Sequence, residues 1–562
     1  MGEHGNTGFM QRLSSTVEDH KWKLAMALAA VVGVGSVYYV YNKNNQKDPS
    51  RSSRKTNDEG AGTSIEVDTS SSFSVENEKK PLTSEEWKAK GNHAFKAGKY
   101  SDAIDYYTKA IETGSADSSE RATYYQNRAA AFEQLKDYAK VVEDCSQAIS
   151  LNDKYVKAYL RRGKAYEHLF KLEEALEDVT TTCLLEGFQN QSTLGIADRV
   201  LKNLGQKCAA KEMTTRRPNL PSPHYIKSFF ASFSQDPIQE AVNATLDRGD
   251  GMRPEDKPLL CFHKREYDEV IPACNEVLEV HENDVIRLLR GTFRMLSLDL
   301  TGALEDFDKL VAFGSPKVMV NALIKRASLQ ITLNSSLDSL KDFDQAISID
   351  GNNADIYHHR GQINLLTEKM EEARSDFSKA VDLSSNYPIA YVQKLYADYK
   401  YYAFVKGDTR KADETLKNFK EAMEKYPNCV ECYSLYAQVL TDTAKFDEAE
   451  KLFKRAMQID PENANLLVHL AMLSLQTRGD MEEATRLLEE AVAKDPKCEF
   501  ALETIGTIEV QKGRLDKSVD YFRRAIPLAR SEAELSHLFS LMNAAIAQTK
   551  VANNLGLRVP LL

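Results

Sequence analysis

One spacing recurs along most of this chain: two small residues twelve positions apart, often with a third seven further on. Gly91, Ala103 and Ala110 show it first. Gly163/Ala175, Gly291/Ala303, Gly361/Ala373 and Ala437/Ala449 repeat the interval of 12. Ala373/Ala380, Ala449/Ala456 and Ala484/Ala491 repeat the interval of 7. Small side chains at such points let two helices cross closely while larger residues pack around the crossing. The whole pattern returns after 34 residues from Ala346 to Ala380, 35 from Ala449 to Ala484 and 34 from Ala484 to Ser518. A unit of this length is a pair of helices that cannot bury its apolar face alone, so successive units must stack.

The first run of units starts at Thr83. Its second member is degenerate, with Ala129, Val141 and Ala148 at the small positions. Ala103 to Val141 is 38 positions, and the extra four belong to the polar loop around Gly114–Ser119. Gln189–Lys211 reads as a helix closing this array, and the basic, proline-rich stretch Arg216–Pro223 breaks it. Tyr225, Phe229, Phe230 and Phe233 follow at helical spacing and are expected to pack two subdomains together rather than to bind a ligand. In the second array Pro427, Pro461 and Pro496 stand where proline stops a helix. Units near Tyr267 and Ser339 are degenerate, and one near Ala403–Ala422 is elongated. Ser531-Glu532-Ala533-Glu534 is a capping box. The helix it opens carries Leu535, Leu538, Phe539 and Met542 on one face, as a terminal cap requires. The expected fold is an all-α tetratricopeptide-repeat superhelix in two arrays, roughly three repeats plus eight, with one N-terminal transmembrane helix.

Leu24–Tyr41 contains 18 residues and no charge. As a helix it would rise about 27 Å, close to the roughly 30 Å of a hydrocarbon core. Trp22 marks one end and Tyr38, Tyr39 and Tyr41 the other, as in an aromatic belt. Lys43, Lys47, Arg51, Arg54 and Lys55 follow against one acid, Asp48, which places the C-terminal bulk in the cytosol. A cleaved signal peptide fits less well, because the leader is long and nearly neutral and tyrosines stand where small residues should. A short anchor with this basic flank suits the mitochondrial outer membrane; on residues alone the endoplasmic reticulum stays open. The expected order is a tail at 1–23, an anchor at 24–41, a disordered linker at 42–80 and a first repeat domain at 81–210. An inter-array linker and helix at 211–257 leads to a second repeat domain with its capping helix at 258–562.

Composition removes several function classes. A net charge of −10 argues against nucleic acid as main ligand. Eight cysteines in 562 residues are too sparse for a disulfide scaffold. Cys429 and Cys432 form a lone C-x-x-C without a second pair or a suitably spaced histidine, so small residues opening a helix explain them better than zinc or redox use. No phosphate loop, H-E-x-x-H or nucleophile elbow is present. The chain is read as a non-enzyme without cofactor or metal. Glu371-Glu372 and Glu482-Glu483 are expected at the starts of second helices, favoured by the helix dipole. His358 and His359 would point apart on a helix.

Five polar residues stand out against this background. Lys88 and Asn92, then Asn127, then Lys157 and Arg161 occupy the first helices of three successive repeats. Both pairs are i,i+4 and share a helix face. Three cations and two amides on one concave surface suit a ligand with two carboxylates, such as a chain terminus ending in Asp.

Lys88-x-x-Gly91-Asn92, Asn127-Arg128-Ala129 and Lys157-x-x-x-Arg161 resemble the carboxylate clamp of tetratricopeptide co-chaperones. Those clamps hold the Glu-Glu-Val-Asp termini of the seventy- and ninety-kilodalton heat-shock chaperones. The wider chain resembles the large chaperone-docking preprotein receptors of the mitochondrial outer-membrane translocase. That likeness includes Arg216-Arg217-Pro218, Tyr225-Ile226-Lys227-Ser228-Phe229-Phe230 and Ser232-Phe233-x-x-Asp236-Pro237-Ile238. It implies chaperones, mitochondrial preproteins and other translocase subunits as partners. The implied mechanism is a relay in which hydrophobic preproteins with internal signals pass from chaperone to receptor to translocation pore. Repeat register puts Leu288, Met295, Ile324 and Ile331 near the concave side of the second array, where an apolar groove is one reading and helix packing another. An endoplasmic-reticulum-anchored co-chaperone and a membrane scaffold without an import role are the competing readings.

Overall fold

The computed structural model describes residues 82–113, 117–248, 253–333 and 336–556. The expected tail, anchor and linker lie outside these residues. Among the described residues no helix is long and apolar enough to cross a membrane, and no strand occurs. The chain divides into two compact units. One holds the described residues up to Val200 together with Lys550–Leu555; the other holds Leu201–Thr549.

The first unit contains α1 (Ser84–Lys96), α2 (Tyr100–Glu112), α3 (Ser118–Gln134), α4 (Tyr138–Leu151), α5 (Val156–His168) and α6 (Leu172–Leu185). Each odd helix packs most extensively on the even helix after it, and α3 neighbours both α1 and α5. The small residues stand at these crossings: Ala103, Ala129, Val141, Ala148, Ala158 and Ala175 are wholly buried. A Cβ on Gly91 would meet the Tyr107 ring at 2.5 Å, and one on Gly163 would meet Val179 at 2.9 Å. The turn inside each pair passes through a left-handed residue, Gly98, Lys136 or Phe170, at φ of 75°, 60° and 56°. α7 (Gln191–Thr215) begins here and continues into the other unit.

A second periodic device ties the pairs together. Arg128 grips Asp144 with Nε and Nη2 at 2.8 and 2.7 Å, and Arg162 grips Asp178 at 2.7 and 2.8 Å. In both cases the aspartate lies 16 residues after the arginine, on the second helix of the same repeat. Each arginine's Nη1 reaches back to the preceding repeat, donating to Thr108 Oγ1 and to Ser146 Oγ at 2.9 Å. Each side chain therefore joins three helices. The same 16-residue clasp recurs in the second unit as Arg290–Asp306, Arg326–Asp342 and Arg360–Asp376.

The second unit opens with α8 (Pro223–Ala231), α9 (Pro237–Asp247), α10 (Lys257–His263) and α11 (Val270–Val280). Helix pairs then follow: α12 (Asp284–Ser297) with α13 (Leu300–Phe313), α14 (Pro316–Thr332) with α15 (Ser336–Ile349), and α16 (Ala354–Leu366) with α17 (Met370–Leu383). The elongated repeat runs from α18 (Pro388–Lys400) through a π-helical turn at Tyr401–Lys406 to α19 (Thr409–Lys425). Arg374 lies 4.2 and 4.7 Å from the Tyr401 and Tyr402 ring centres. The unit continues with α20 (Val430–Asp442), α21 (Phe446–Ile459), α22 (Ala464–Arg478), α23 (Met481–Lys494), α24 (Glu499–Gln511) and α25 (Leu515–Ala525). Glu371-Glu372 and Glu482-Glu483 occupy the first turns of α17 and α23. The last helix, α26 (Glu532–Leu555), buries Leu535 and Leu538, with Phe539 and Met542 packed beside them.

Three expectations change here. Phe229 and Phe230 do not serve as an inter-array seam; they are buried in the second unit's own core, where Phe230 packs on Phe262 and Phe293. Asp236 then pairs with Lys325 at 3.1 Å, both almost fully buried, with the ammonium facing Phe229, Phe230 and Phe233. Leu288, Met295, Ile324 and Ile331 are all buried in helix packing, which removes them as the lining of an open groove. His358 and His359 do not diverge: both are buried, with ring centres 5.0 Å apart.

Candidate peptide-binding groove

The groove is set up by residues beneath it. Thr83 caps α1: its hydroxyl accepts from the Glu86 amide, and the Glu86 carboxylate accepts from the Thr83 amide. This fixes the start of the helix that carries Lys88 and Asn92. Gly91 leaves the space that the Tyr107 ring fills, which brings the phenol under Asn92. The Tyr107 hydroxyl donates to Asn92 Oδ1 at 2.8 Å. Burial pushes the Tyr107 phenol up to about 12, so it stays protonated and remains a donor. Asn127 Nδ2 donates to the same Oδ1 at 3.4 Å. With its oxygen occupied, Asn92 presents its amide nitrogen as the free hydrogen-bonding group.

Asn127 and Arg161 each precede a clasp arginine, Arg128 and Arg162. The clasp fixes the rotation of α3 and α5, and with it the direction of the neighbouring donor. Arg161 Nε donates to Glu133 Oε2 at 2.7 Å, and its Nη1 donates to the Gln126 carbonyl at 3.4 Å. Lys88 Nζ donates to Glu85 at 2.9 and 3.1 Å and lies 5.9 Å from the Tyr124 ring centre. Lys157 is exposed and has no hydrogen bond or ion pair among the described residues. The structure thus places Lys88, Asn92, Asn127, Lys157 and Arg161 on three adjoining helices and joins Asn92 directly to Asn127.

Three residues that hydrogen-bond to these candidate donors, Tyr107, Glu85 and Glu133, did not stand out in the sequence. Tyr107 was detectable as an aromatic 16 positions after a crossing glycine. Glu85 was detectable as an i,i+3 partner of Lys88. Glu133 lies 28 residues before Arg161 and gives no local signal.

Among the described residues no three His, Cys, Asp or Glu side chains gather as a metal site. Cys429 is the N-cap of α20, and Cys432 lies buried in the same helix. The neighbouring Cys432 thiol, then burial, push the Cys429 thiol up, away from the thiolate that redox chemistry needs. All eight cysteines are free thiols.

Tetratricopeptide repeat family models match residues 88–140, 354–387 and 440–502. The mitochondrial import receptor subunit TOM70 of Homo sapiens is 39% identical over 492 residues, which is 84% of this chain and 81% of the human protein. The chain belongs to the TOM70 family of mitochondrial import receptors. The crystal structure of yeast Tom70 aligns at 27% identity over 84% of this chain and 98% of that one, with a TM-score of 0.48. The Hsp70/Hsp90 co-chaperone CNS1 of Saccharomyces cerevisiae is 34% identical over 160 residues, 28% of this chain and 41% of that protein.

Proposed function

We propose that this import receptor docks seventy- and ninety-kilodalton heat-shock chaperones by their acidic C-termini. Lys88, Asn92, Asn127, Lys157 and Arg161 would receive the two carboxylates. The observation that carries this reading is the donor row itself: three cations and two amides on neighbouring helices, with the two amides already in register. Charge-assisted hydrogen bonds contribute about 1.5–3 kcal/mol each, enough for a dissociation constant on the order of micromolar without a deep pocket. The chaperone's client, a hydrophobic preprotein with internal signals, then passes to the second array and on to the translocation pore, with other translocase subunits as partners.

The same reading includes the finer architecture: an anchor at 24–41, a linker at 42–80, a clamp domain at 81–210, an inter-array segment at 211–257 and a cargo domain at 258–562. It counts three repeats plus eight and holds the bulk of the chain in the cytosol by a single pass through the outer membrane. The test presents a chaperone-bound carrier-type preprotein to mitochondria bearing the full chain. The intact receptor recruits chaperone and cargo together, and Arg161→Ala loses both. Equal recruitment by the variant contradicts the relay. Residues 1–60 fused to a fluorescent protein should label mitochondria; a reticular pattern contradicts the location.

A further inference from the structure

The groove already contains carboxylates of its own. Two of its three cations are engaged, one by Glu85 and one by Glu133, and only Lys157 stands open among the described residues. The Arg161–Glu133 contact differs in kind from the clasps beside it. Arg128 and Arg162 hold their aspartates through two nitrogens, and those aspartates are 6% and 4% exposed. Arg161 holds Glu133 through Nε alone, and the glutamate is 29% exposed. The first geometry is architectural. The second is one hydrogen-bonded contact that water reaches, so the acid can be exchanged without opening the helix packing. Glu133 also comes from α3, a different helix from Arg161, so it bridges the groove wall rather than its own helix surface. Glu85 is 64% exposed, in an i,i+3 pair on α1, and such surface pairs hold little free energy.

We propose that Glu133 is an internal competitor for the ligand's carboxylate, with Glu85 as a minor second one. This rests on the clamp reading above. In the unliganded groove Glu133 stands where an arriving carboxylate would sit, and docking exchanges one acid for another on Arg161. The exchange lowers affinity below what the five donors would otherwise give. It also sharpens selection, because a tail with a single carboxylate recovers only one of the displaced contacts. Glu133 is therefore a specificity-determining residue that acts through Arg161.

The test titrates a synthetic peptide ending Glu-Glu-Val-Asp, and the same peptide with an amidated C-terminus, into the full chain. Glu133→Gln keeps shape and removes charge; the free-acid peptide should bind about three- to tenfold tighter, and discrimination against the amidated form should shrink. Glu133→Asp, with a shorter reach to Arg161, should give a smaller gain. Glu143→Gln, an equal charge change on an exposed site of α4, should give less than a twofold gain. In an Arg161→Ala background the Glu133→Gln gain should vanish. Unchanged or weaker binding by Glu133→Gln overturns the proposal and makes Glu133 a support for Arg161. A gain equalled by Glu143→Gln, or one that survives Arg161→Ala, also overturns it. Absence of peptide binding by the unaltered chain, or no loss with Arg161→Ala alone, defeats the clamp reading itself.

Discussion

At the scale of single residues, the placement of Asn92 depends on a glycine one position before it. Gly91 admits the Tyr107 ring, and Tyr107 orients Asn92. Gly91→Ala places a Cβ 2.5 Å from that ring. Overpacking of this kind should cost about 1–3 kcal/mol and weaken peptide binding as well. Gly195, inside α7 with nothing within 4 Å of its Cβ position, is the contrast; Gly195→Ala should stabilise by about 0.5–1 kcal/mol. Thermal melting of both variants checks the pair. Tyr107→Phe removes one hydrogen bond worth about 1 kcal/mol, so peptide affinity should fall about fivefold while the helical signal stays. That Lys88, Asn92, Asn127, Lys157 and Arg161 fall on α1, α3 and α5 was legible in the sequence from the repeat spacing. Glu133 was not, because its relation to Arg161 exists only once α3 and α5 are stacked.

At the scale of elements, the apolar pattern and the polar pattern were unequally legible. Small residues 12 and 7 apart marked the helix crossings, and Ala103, Ala129 and Ala175 are buried as that spacing requires. The arginine–aspartate clasps share one interval of 16 and were still passed over, since charged residues on a helix read by default as a solvated face. Asp306 is the most heavily used of these acids: it is 1% exposed and accepts from Arg287, Arg290 and Arg294. Asp306→Ala leaves three guanidinium groups without that partner, and loss of a buried partner costs about 3–5 kcal/mol. Hydrogen exchange should show protection falling first across Asp284–Ser297 and Leu300–Phe313. Unchanged protection there would mean that the clasp adds nothing to repeat stability. The aromatic run at Tyr225–Phe233 failed as a sequence reading for a related reason. Helical spacing shows that a face is buried but not which neighbour buries it.

At the scale of the whole molecule, buried histidines tie stability to pH. Burial lowers His469 to about 4 and His359 to about 3, and it holds His358 well below its ordinary value. A histidine with a depressed folded pKa binds its proton more readily when unfolded. Its contribution is therefore complete above about pH 6.5 and is lost as pH falls toward the folded value. For His469 the loss at pH 5 is about 2 kcal/mol. Denaturant midpoints should fall between pH 6.5 and 5, and His469→Gln should lose less over that interval. An identical slope in the variant would contradict the assignment. Similarity along most of the chain makes this a TOM70-family receptor, whereas its proposed docking of a chaperone depends on five side chains. Calorimetric titration of a Glu-Glu-Val-Asp peptide into the full chain tests that dependence most directly. The expected result is binding on the order of micromolar that weakens as salt rises and falls at least tenfold with Arg161→Ala; equal affinity in the variant, or no binding at all, would contradict it.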